Sequence, residues 1–317
     1  MKPAAKAQHR LIVGMALAFL GVSALPGAAP AASCDRSCLQ AIGDQYRAAW
    51  LAHDPKKAPF AAKVRFTENN VEMAFPDGTW DTITKEYGPP LTLADPETGQ
   101  VGIYTAFSQK DTGGFVAIRL KVVGGRITEV EHIVNTLRTI SGPPAVHGDP
   151  TAFAHEPRIL EPSKPGECGT RAEMVRLADG YFSTLEHNNG QIRNTRFLPD
   201  ATRSENGGKV IKDIEGDFKT GRYAVNDRVR DREYFLFDPY LCIVMSRGFI
   251  DHKGVLDDYK LTDGTPTHAI YREPHTWALL EMFKMKNGAI ADVKATFFGA
   301  PYYQRSPWTK HPDPVKR

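Results

Sequence analysis

The chain says nearly the same thing twice, and that constrains its fold more than anything else in it. Around Ile42 it reads IGDQYRAAWLAHD and then, after a gap, RFTENN; further on it reads LADGYFSTLEHNNG and then TRSENGG. Asp44 and Tyr46 align with Asp179 and Tyr181, and Glu68 and Asn69 with Glu205 and Asn206. Downstream, RLKVVGGRITEVEHI (119–133) lines up without a gap with MFKMKNGAIADVKAT (282–296), each a predicted strand, two-residue turn and strand. Long segments in the same order predict two domains of one fold. Two copies are too few for a solenoid, so each must close its own core. The length of 317 residues, with 41% hydrophobic and 24% charged residues, suits two ordinary soluble domains. The predicted boundaries are 34–140 and 167–305, with a proline-rich linker at 141–166 and a tail at 306–317.

Ahead of the first copy, Lys2, Lys6 and Arg10 precede the apolar run LIVGMALAFLGVSAL, and small residues follow up to Cys34. A basic start, a short apolar run and an A-x-A-like site (Ala29-Pro30-Ala31 or Ala31-Ala32-Ser33) predict a cleaved secretory signal over 1–33. The run is too short to span a bilayer comfortably, so no membrane span is expected. A lipid-anchored Cys34 is the alternative, weakened by the lack of Leu three residues before it. The predicted location is periplasmic or secreted. Removing the three leader cations from 40 Lys plus Arg leaves 37 against 37 Asp plus Glu. A neutral mature chain offers no electrostatic reason to bind nucleic acid.

The predicted compartment permits disulfides among Cys34, Cys38, Cys168 and Cys242. Three connectivities exist. Cys34 and Cys168 hold matching places before the first helix of each copy, which favours Cys34–Cys38 and Cys168–Cys242. No C-x-x-C pair or neighbouring His completes a metal ligand set, so no metal is expected.

Each copy reads as helices followed by an antiparallel meander, an α+β domain with N-terminal helices on one face of a curved, mainly antiparallel sheet. In the first, Leu39, Ile42, Tyr46, Ala49 and Trp50 recur at helical spacing over 37–53. Pro55 ends that helix and a short second one is predicted over 57–61. Strands are expected near 64–68, 79–84, 100–107, 115–122 and 127–135. In the second, a helix is expected over 170–187 and strands through TRSENG and near 233–237, 241–250, 268–285 and 289–298. The linker carries Pro143, Pro144, Pro150, Pro157, Pro162 and Pro165 and is expected to run extended over the surface, with His147 and His155 solvated. The tail is expected to lie loose or over the surface.

Alternation in the late strands picks out candidate site residues. In WALLEMFKM, Trp277, Leu279, Glu281, Phe283 and Met285 share a face. If that face is interior, Glu281 is a carboxylate in an apolar wall, where desolvation raises its pKa toward the range of a general acid or base. The plainer reading is a salt bridge, with Arg232 as an available partner. In the first copy Val116, Ile118, Leu120 and Val122 point inward and Arg119 outward, toward a sheet face that can meet a partner domain. Thr128, Val130, His132 and Val134 form the next inward set, which makes His132 either a cavity imidazole or a hydrogen-bonded core residue. Glu68, sharing a face with Phe66, is either a cavity acid or an exposed strand end.

The stretches CDRSCL, YRAAWLAHDP and RFTENN, with ENGG, DHKG and EMFKMKNGAI, resemble the nuclear-transport-factor-2-like (SnoaL-like) superfamily, in particular secreted members with two such domains. The resemblance covers nearly all of the chain after Cys34. It implies cone-shaped domains whose helices and bent sheet enclose an apolar pocket. Such folds include ketosteroid isomerases, scytalone dehydratase, limonene epoxide hydrolase and cofactorless lyases acting on lignin-derived aromatic dimers. They share Asp, Glu, His, Tyr or Arg in a dry pocket rather than one motif, so no catalytic set carries over residue by residue. The expectation is a cofactor-independent lyase or isomerase moving a proton on a small hydrophobic, aromatic or oxygenated ligand. Glu281 is the expected base, Tyr181 and Arg232 the hydrogen-bond donors, Glu205 and His252 reserves, and Trp277 part of the ring-binding wall. Tyr46, Glu68 and His132 form the matching group in the first copy. The alternative is a non-catalytic ligand-binding or assembly module, its hollows filled by side chains and its sheet faces pairing within the chain or in a homodimer. A pocket of about 300 Å³ or more containing Glu281 separates the two.

Overall fold

The computed structural model describes residues 34–137 and 147–314, with Met1 and Ala4. The expected signal segment, the first part of the linker and the last three residues lie outside the described residues. The chain runs α1 (Arg36–Leu51), β1 (Phe60–Glu68), β2 (Val71–Met73), α2 (Thr79–Thr82), β3 (Ile83–Asp95), β4 (Gln100–Gln109), β5 (Thr112–Val123) and β6 (Arg126–Thr136). After a short α3 (Pro157–Leu160) come α4 (Arg171–Glu186), β7 (Phe197–Glu205), β8 (Gly208–Ile211), α5 (Ile214–Lys219), β9 (Arg228–Asp238) and β10 (Ile243–His252). A small hairpin of β11 (Asp258–Lys260) and β12 (Pro266–His268) precedes β13 (His275–Lys286) and β14 (Ala289–Pro301). The result is α+β with two curved, mainly antiparallel sheets of one topology: β2-β1-β6-β5-β4-β3 and β8-β7-β14-β13-β10-β9. In each, the first strand lies parallel to the last and every other pairing is antiparallel. No helix among the described residues is long and apolar enough to cross a membrane.

The repeated Glu-Asn motif has an architectural cause. Asn69 and Asn70 take φ of 49° and 64°, and Asn206 and Gly207 take 44° and 74°, the left-handed pair that a tight two-residue hairpin needs. The Asn69 side chain accepts from the Val134 amide at 2.8 Å and donates to the Val134 carbonyl at 3.1 Å. Asn206 Oδ1 accepts from the Phe297 amide at 2.9 Å. Each Asn therefore turns the chain and extends the parallel pairing by one rung.

Helix α1 buries Leu39, Ile42, Tyr46, Ala49 and Trp50 against its sheet, and α4 buries Met174, Leu177, Ala178, Tyr181 and Phe182 against the other. Asp35 caps α1 through the Cys38 amide at 2.9 Å; Thr170 and Glu173 form a reciprocal capping box on α4. The disulfides are Cys34–Cys38 and Cys168–Cys242, the favoured pairing.

Several boundaries move. Of the stretch 79–84, expected as a strand, residues 79–82 are a helical turn and 83–84 begin β3. The second helix of the first repeat is a 3₁₀ turn at Pro55–Lys57. The Gly88-Pro89-Pro90 segment lies within β3 at a register shift between Tyr87 and Leu91. β3 is an edge strand, where proline's missing N–H costs no ladder bond. The stretch 268–285 divides into the end of β12 and all of β13.

The outer faces of the two sheets pack on each other. Leu91, Leu93, Tyr104 and Ile133 from one side and Leu236, Ile243, Met245 and Met282 from the other form a third core. The contact is close to two-fold. Arg36 on α1 pairs with Asp238 at 2.6 Å and Arg171 on α4 with Asp95 at 2.8 Å. Asp238 also accepts from the Ala94 amide and Asp95 from the Phe237 amide, each at 2.9 Å. Both carboxylates are buried, so Asp95→Asn and Asp238→Asn should each cost about 2 kcal/mol in urea unfolding. Unequal losses would argue against equivalent clasps.

The described parts of the linker and tail, 147–166 and 306–314, are docked rather than loose. Ile159 sits in the inter-sheet core, and Arg158 bonds Asp292 at 2.7 Å and Asp200 at 2.8 Å. His155 is buried, packed edge-on against Phe153 with ring centroids 4.8 Å apart, and burial lowers its pKa to about 3. His147, half-buried, bonds Asn135 at 2.6 Å. In the tail, Trp308 donates to Thr67 at 2.8 Å while the Arg65 and Arg119 guanidinium groups lie 4.1 and 4.4 Å from its ring centre. Proline content marked where helices and strands stop. It carried no sign of these anchoring side chains.

Candidate functional site

In the second repeat, α4, β7, β10, β13, β14 and the β11–β12 hairpin surround a cavity of about 510 Å³. Alternation on β13 aims Trp277, Leu279 and Glu281 into it, while Phe283 and Met285 close the core below. Glu281 pairs in register with Ala295 on β14, whose methyl leaves room. Gly288 and Asn287, both at positive φ, make the turn that sets this pairing.

Glu281 is 3% exposed. Burial raises its pKa to about 8; the Arg203 charge and a hydrogen bond from Tyr181 pull downward, and neighbouring Glu205 pushes upward. Arg203, also buried, donates to Tyr181 Oη at 3.2 Å and pairs with Glu205 at 2.9 Å. It also bonds Tyr223, which in turn bonds Asp217; Arg222 reaches the same Asp217 at 3.2 Å. Burial holds the Tyr181 phenol well above its usual pKa, so it stays a proton donor to its neighbours through the neutral range.

The opposite wall is aromatic. The His252 and His275 rings stack with centroids 4.6 Å apart and planes 3° from parallel, and Tyr271 lies 4.3 Å from His252. Trp277 meets Phe297 at 5.1 Å. Burial, with His275 adding to it, drops the His252 pKa to about 3, so this imidazole is neutral at physiological pH and serves as wall or hydrogen-bonding group rather than as a cation. The ceiling is an insertion. β4 and β5 are joined by a two-residue turn, whereas between β10 and β13 the β11–β12 hairpin intervenes and supplies Tyr259, Leu261, Thr267 and Ile270 to the cavity. Tyr259 donates to the Arg222 carbonyl at 2.7 Å and the Thr262 amide to the Thr220 carbonyl at 3.0 Å, which fixes the ceiling to the wall.

Of the expected residues, Glu281, Glu205, Tyr181, His252 and Trp277 meet at this one cavity. Arg232 does not. It bonds Asp179 at 3.3 Å, Ser183 at 2.9 Å and Glu186 along the α4 seam. The cause is a bulge in β9, where Asp231 takes φ of 50° and two residues face Gly248, so the following side chain is re-aimed. Arg203 stands where Arg232 was expected. It aligns with Phe66 of the first repeat and shares a strand face with Glu205, so the alternation that placed Phe66 and Glu68 together could have found it. Tyr223 lies in a short 3₁₀ turn, Arg222–Val225, and Tyr271 in an irregular segment, and periodicity gives no signal in either.

Tyr46, Glu68 and His132 also come together, in the first repeat. Tyr46 Oη and His132 Nε2 are 2.6 Å apart, Thr79 Oγ1 lies 3.1 Å from Nδ1 and Glu68 Oε2 3.5 Å from it. The Glu68 carboxylate is taken up by the Thr79 amide and hydroxyl at 3.0 and 2.7 Å. Rings fill the surroundings: Trp50, Phe66 and Tyr46 lie 5.5, 5.4 and 6.1 Å from the imidazole, and Trp80 donates to Tyr46 at 3.2 Å. His132 is fully buried. Here the hydrogen-bonded core reading of His132 describes its setting. Among the described residues, no group of three or more His, Cys, Asp or Glu is arranged to hold a metal ion.

The model of one protein family, a domain of unknown function (DUF8021), matches residues 32–134 and 167–297. The chain belongs to the DUF8021 family. The two matched segments fall on the two repeats, and the break between them on the linker. No curated protein matches the DUF8021 chain in sequence. Among solved structures, a de novo designed protein with a curved beta-sheet is 14% identical with a TM-score of 0.28, over 41% of this chain and 88% of that one. AclR of Streptomyces galilaeus has the same identity and TM-score over 41% of this chain and 81% of its own.

Proposed function

We propose that the chain is a secreted or periplasmic, cofactor-independent lyase or isomerase whose working site is the cavity of the second repeat. The observation that carries this reading is Glu281, a carboxylic acid with a pKa of about 8 in the wall of a 510 Å³ cavity. Such a group exchanges a proton near neutral pH, where an ordinary carboxylate is already ionised. In its ionised form it takes a proton from a carbon made acidic by a neighbouring oxygen. Tyr181, with Arg203 behind it, donates to the oxygen on which negative charge grows. The proton then returns to another atom of the same molecule, giving isomerisation, or leaves with a departing group, giving elimination. The ring-lined wall suits a small hydrophobic substrate, including lignin-type aromatics.

We read each repeat as a cone of the nuclear-transport-factor-2-like kind, a helix laid across a bent sheet. The cavity described above lies in the second. For the first repeat the assembly role expected as the alternative is the better reading, because its interior is occupied by Trp50, Phe66 and Trp80 and its outer sheet face is spent on its neighbour. The two disulfides support a location outside the cytosol.

The test is a thermal-shift screen of the mature protein against small aromatic metabolites, followed by product analysis of those that bind. Once a substrate is found, Glu281→Gln should lower kcat/KM about 100-fold or more. The parent's pH profile should bend near 8. Unaltered turnover in the variant would remove Glu281 from the mechanism.

A further inference from the structure

We propose that the cavity of the second repeat selects an electrically neutral, ring-bearing ligand and rejects both the acid and the ammonium analogue of the same ring. This deepens the reading of that cavity as the working site and rests on it. The argument is one of charge balance. Two guanidinium groups border the hollow, Arg203 and Arg222, and two carboxylates answer them, Glu205 and Asp217. Arg203 is within 2.9 Å of Glu205 and 3.9 Å of Asp217, and Arg222 within 3.2 Å of Asp217. The sum is zero before Glu281 is counted. At the outer rim His268 is likewise paired, with Asp258 at 2.5 Å.

A carboxylate ligand finds both guanidinium groups already ion-paired with acids of the chain. To bind it, Arg203 would have to turn from Glu205, leaving that acid unpaired in a buried site beside Glu281. A cationic ligand is placed against Arg203 and gains from Glu281 only by displacing its proton. A neutral molecule meets neither obstacle. Its ring lies against Tyr271, Trp277 and Phe297, and a hydroxyl or carbonyl oxygen on it is within the chemistry of Tyr181 and protonated Glu281. The volume of about 510 Å³ admits more than a single ring.

Three probes with one ring system separate the cases: 2-naphthalenemethanol, 2-naphthoate and trimethyl(2-naphthylmethyl)ammonium, titrated calorimetrically into the full mature chain at pH 7. The alcohol should bind about tenfold more tightly, or better, than either ion, because each ion leaves a buried charge uncompensated. In Asp217→Asn the balance shifts by one positive charge, and the naphthoate should gain about tenfold relative to the alcohol. Equal or tighter binding of either ion by the parent overturns the proposal, and so does failure of all three probes to bind. Selective binding of the alcohol by a protein for which no turnover is ever found would leave this inference standing and sink the catalytic reading instead.

Discussion

Glu281→Gln should make the protein more stable at pH 9 while leaving its stability at pH 5 nearly unchanged. The folded-state pKa of Glu281 is raised to about 8 from an ordinary value of 4.5, so between those limits the native chain holds a proton that the unfolded chain releases. Stability supplied by the protonated carboxyl is fully present below about pH 4.5 and is lost as the pH climbs toward 8. Above that, the parent folds with an ionised carboxylate in its apolar wall. The shift corresponds to about 3–5 kcal/mol, a large part of the stability of a typical domain. Urea unfolding at pH 5, 7 and 9 measures it. The parent's slope should flatten in the variant, and parallel pH dependences would show that Glu281 ionises without penalty. Together with the expected loss of turnover, the gain would mark Glu281 as a residue kept for chemistry at the expense of stability.

The second large effect lies at the junction of the two sheets. Glu131 on β6 is fully buried between two arginines, Arg119 of its own sheet at 2.8 Å and Arg247 of the other at 2.6 Å. Burial pushes its carboxyl upward, and the Arg247 and Arg119 charges outweigh that and hold it below the usual value. Glu131→Ala leaves two guanidinium groups, each 3% exposed, facing one another with Glu129, Glu233 and the neutral Gln100 as remaining partners at their margins. The expected loss is about 3–5 kcal/mol. Because the folded pKa is depressed, the stability that Glu131 contributes is present above about pH 4.5 and fades as the pH falls through its folded value. The stability lost on acidification below about pH 4.5 should therefore be smaller in Arg247→Met than in the parent, as urea unfolding at pH 3 and pH 6 would measure. If Glu131→Ala costs less than about 1 kcal/mol in urea unfolding, the triad adds nothing beyond the apolar packing around it.

Much of this arrangement could be read from the chain before its structure. The duplication predicted two sheets of one plan, and period-two alternation placed Ile118, Leu120 and Glu281 inward and Arg119 at the face between the repeats. These inferences succeed because strand faces are local: a side chain's direction follows from its neighbours. Arg232 shows where locality fails. One left-handed residue, Asp231, rotates everything after it, and a bulge leaves no compositional trace. The solvated reading of His155, and the silence about Ile159 and Trp308, have another cause, since proline-rich stretches look alike whether they drift or are pinned by a distant partner. That the second repeat holds the cavity reflects the small Ala295 where the first has His132, together with the inserted β11–β12 hairpin that roofs it. Both act through volume, which pattern alone does not report.

The near two-fold contact between the sheets has a consequence for how this molecule could diverge. Two separate identical subunits meeting on such a surface must carry every feature twice, so an acid at the axis always faces its own copy. Joined in a single polypeptide, the halves are released from that identity. Glu131 can meet Arg247 on one side of the axis while the corresponding position on the other, Lys294, lies over the ring of Tyr104. One half is then free to change its interior without the other having to follow.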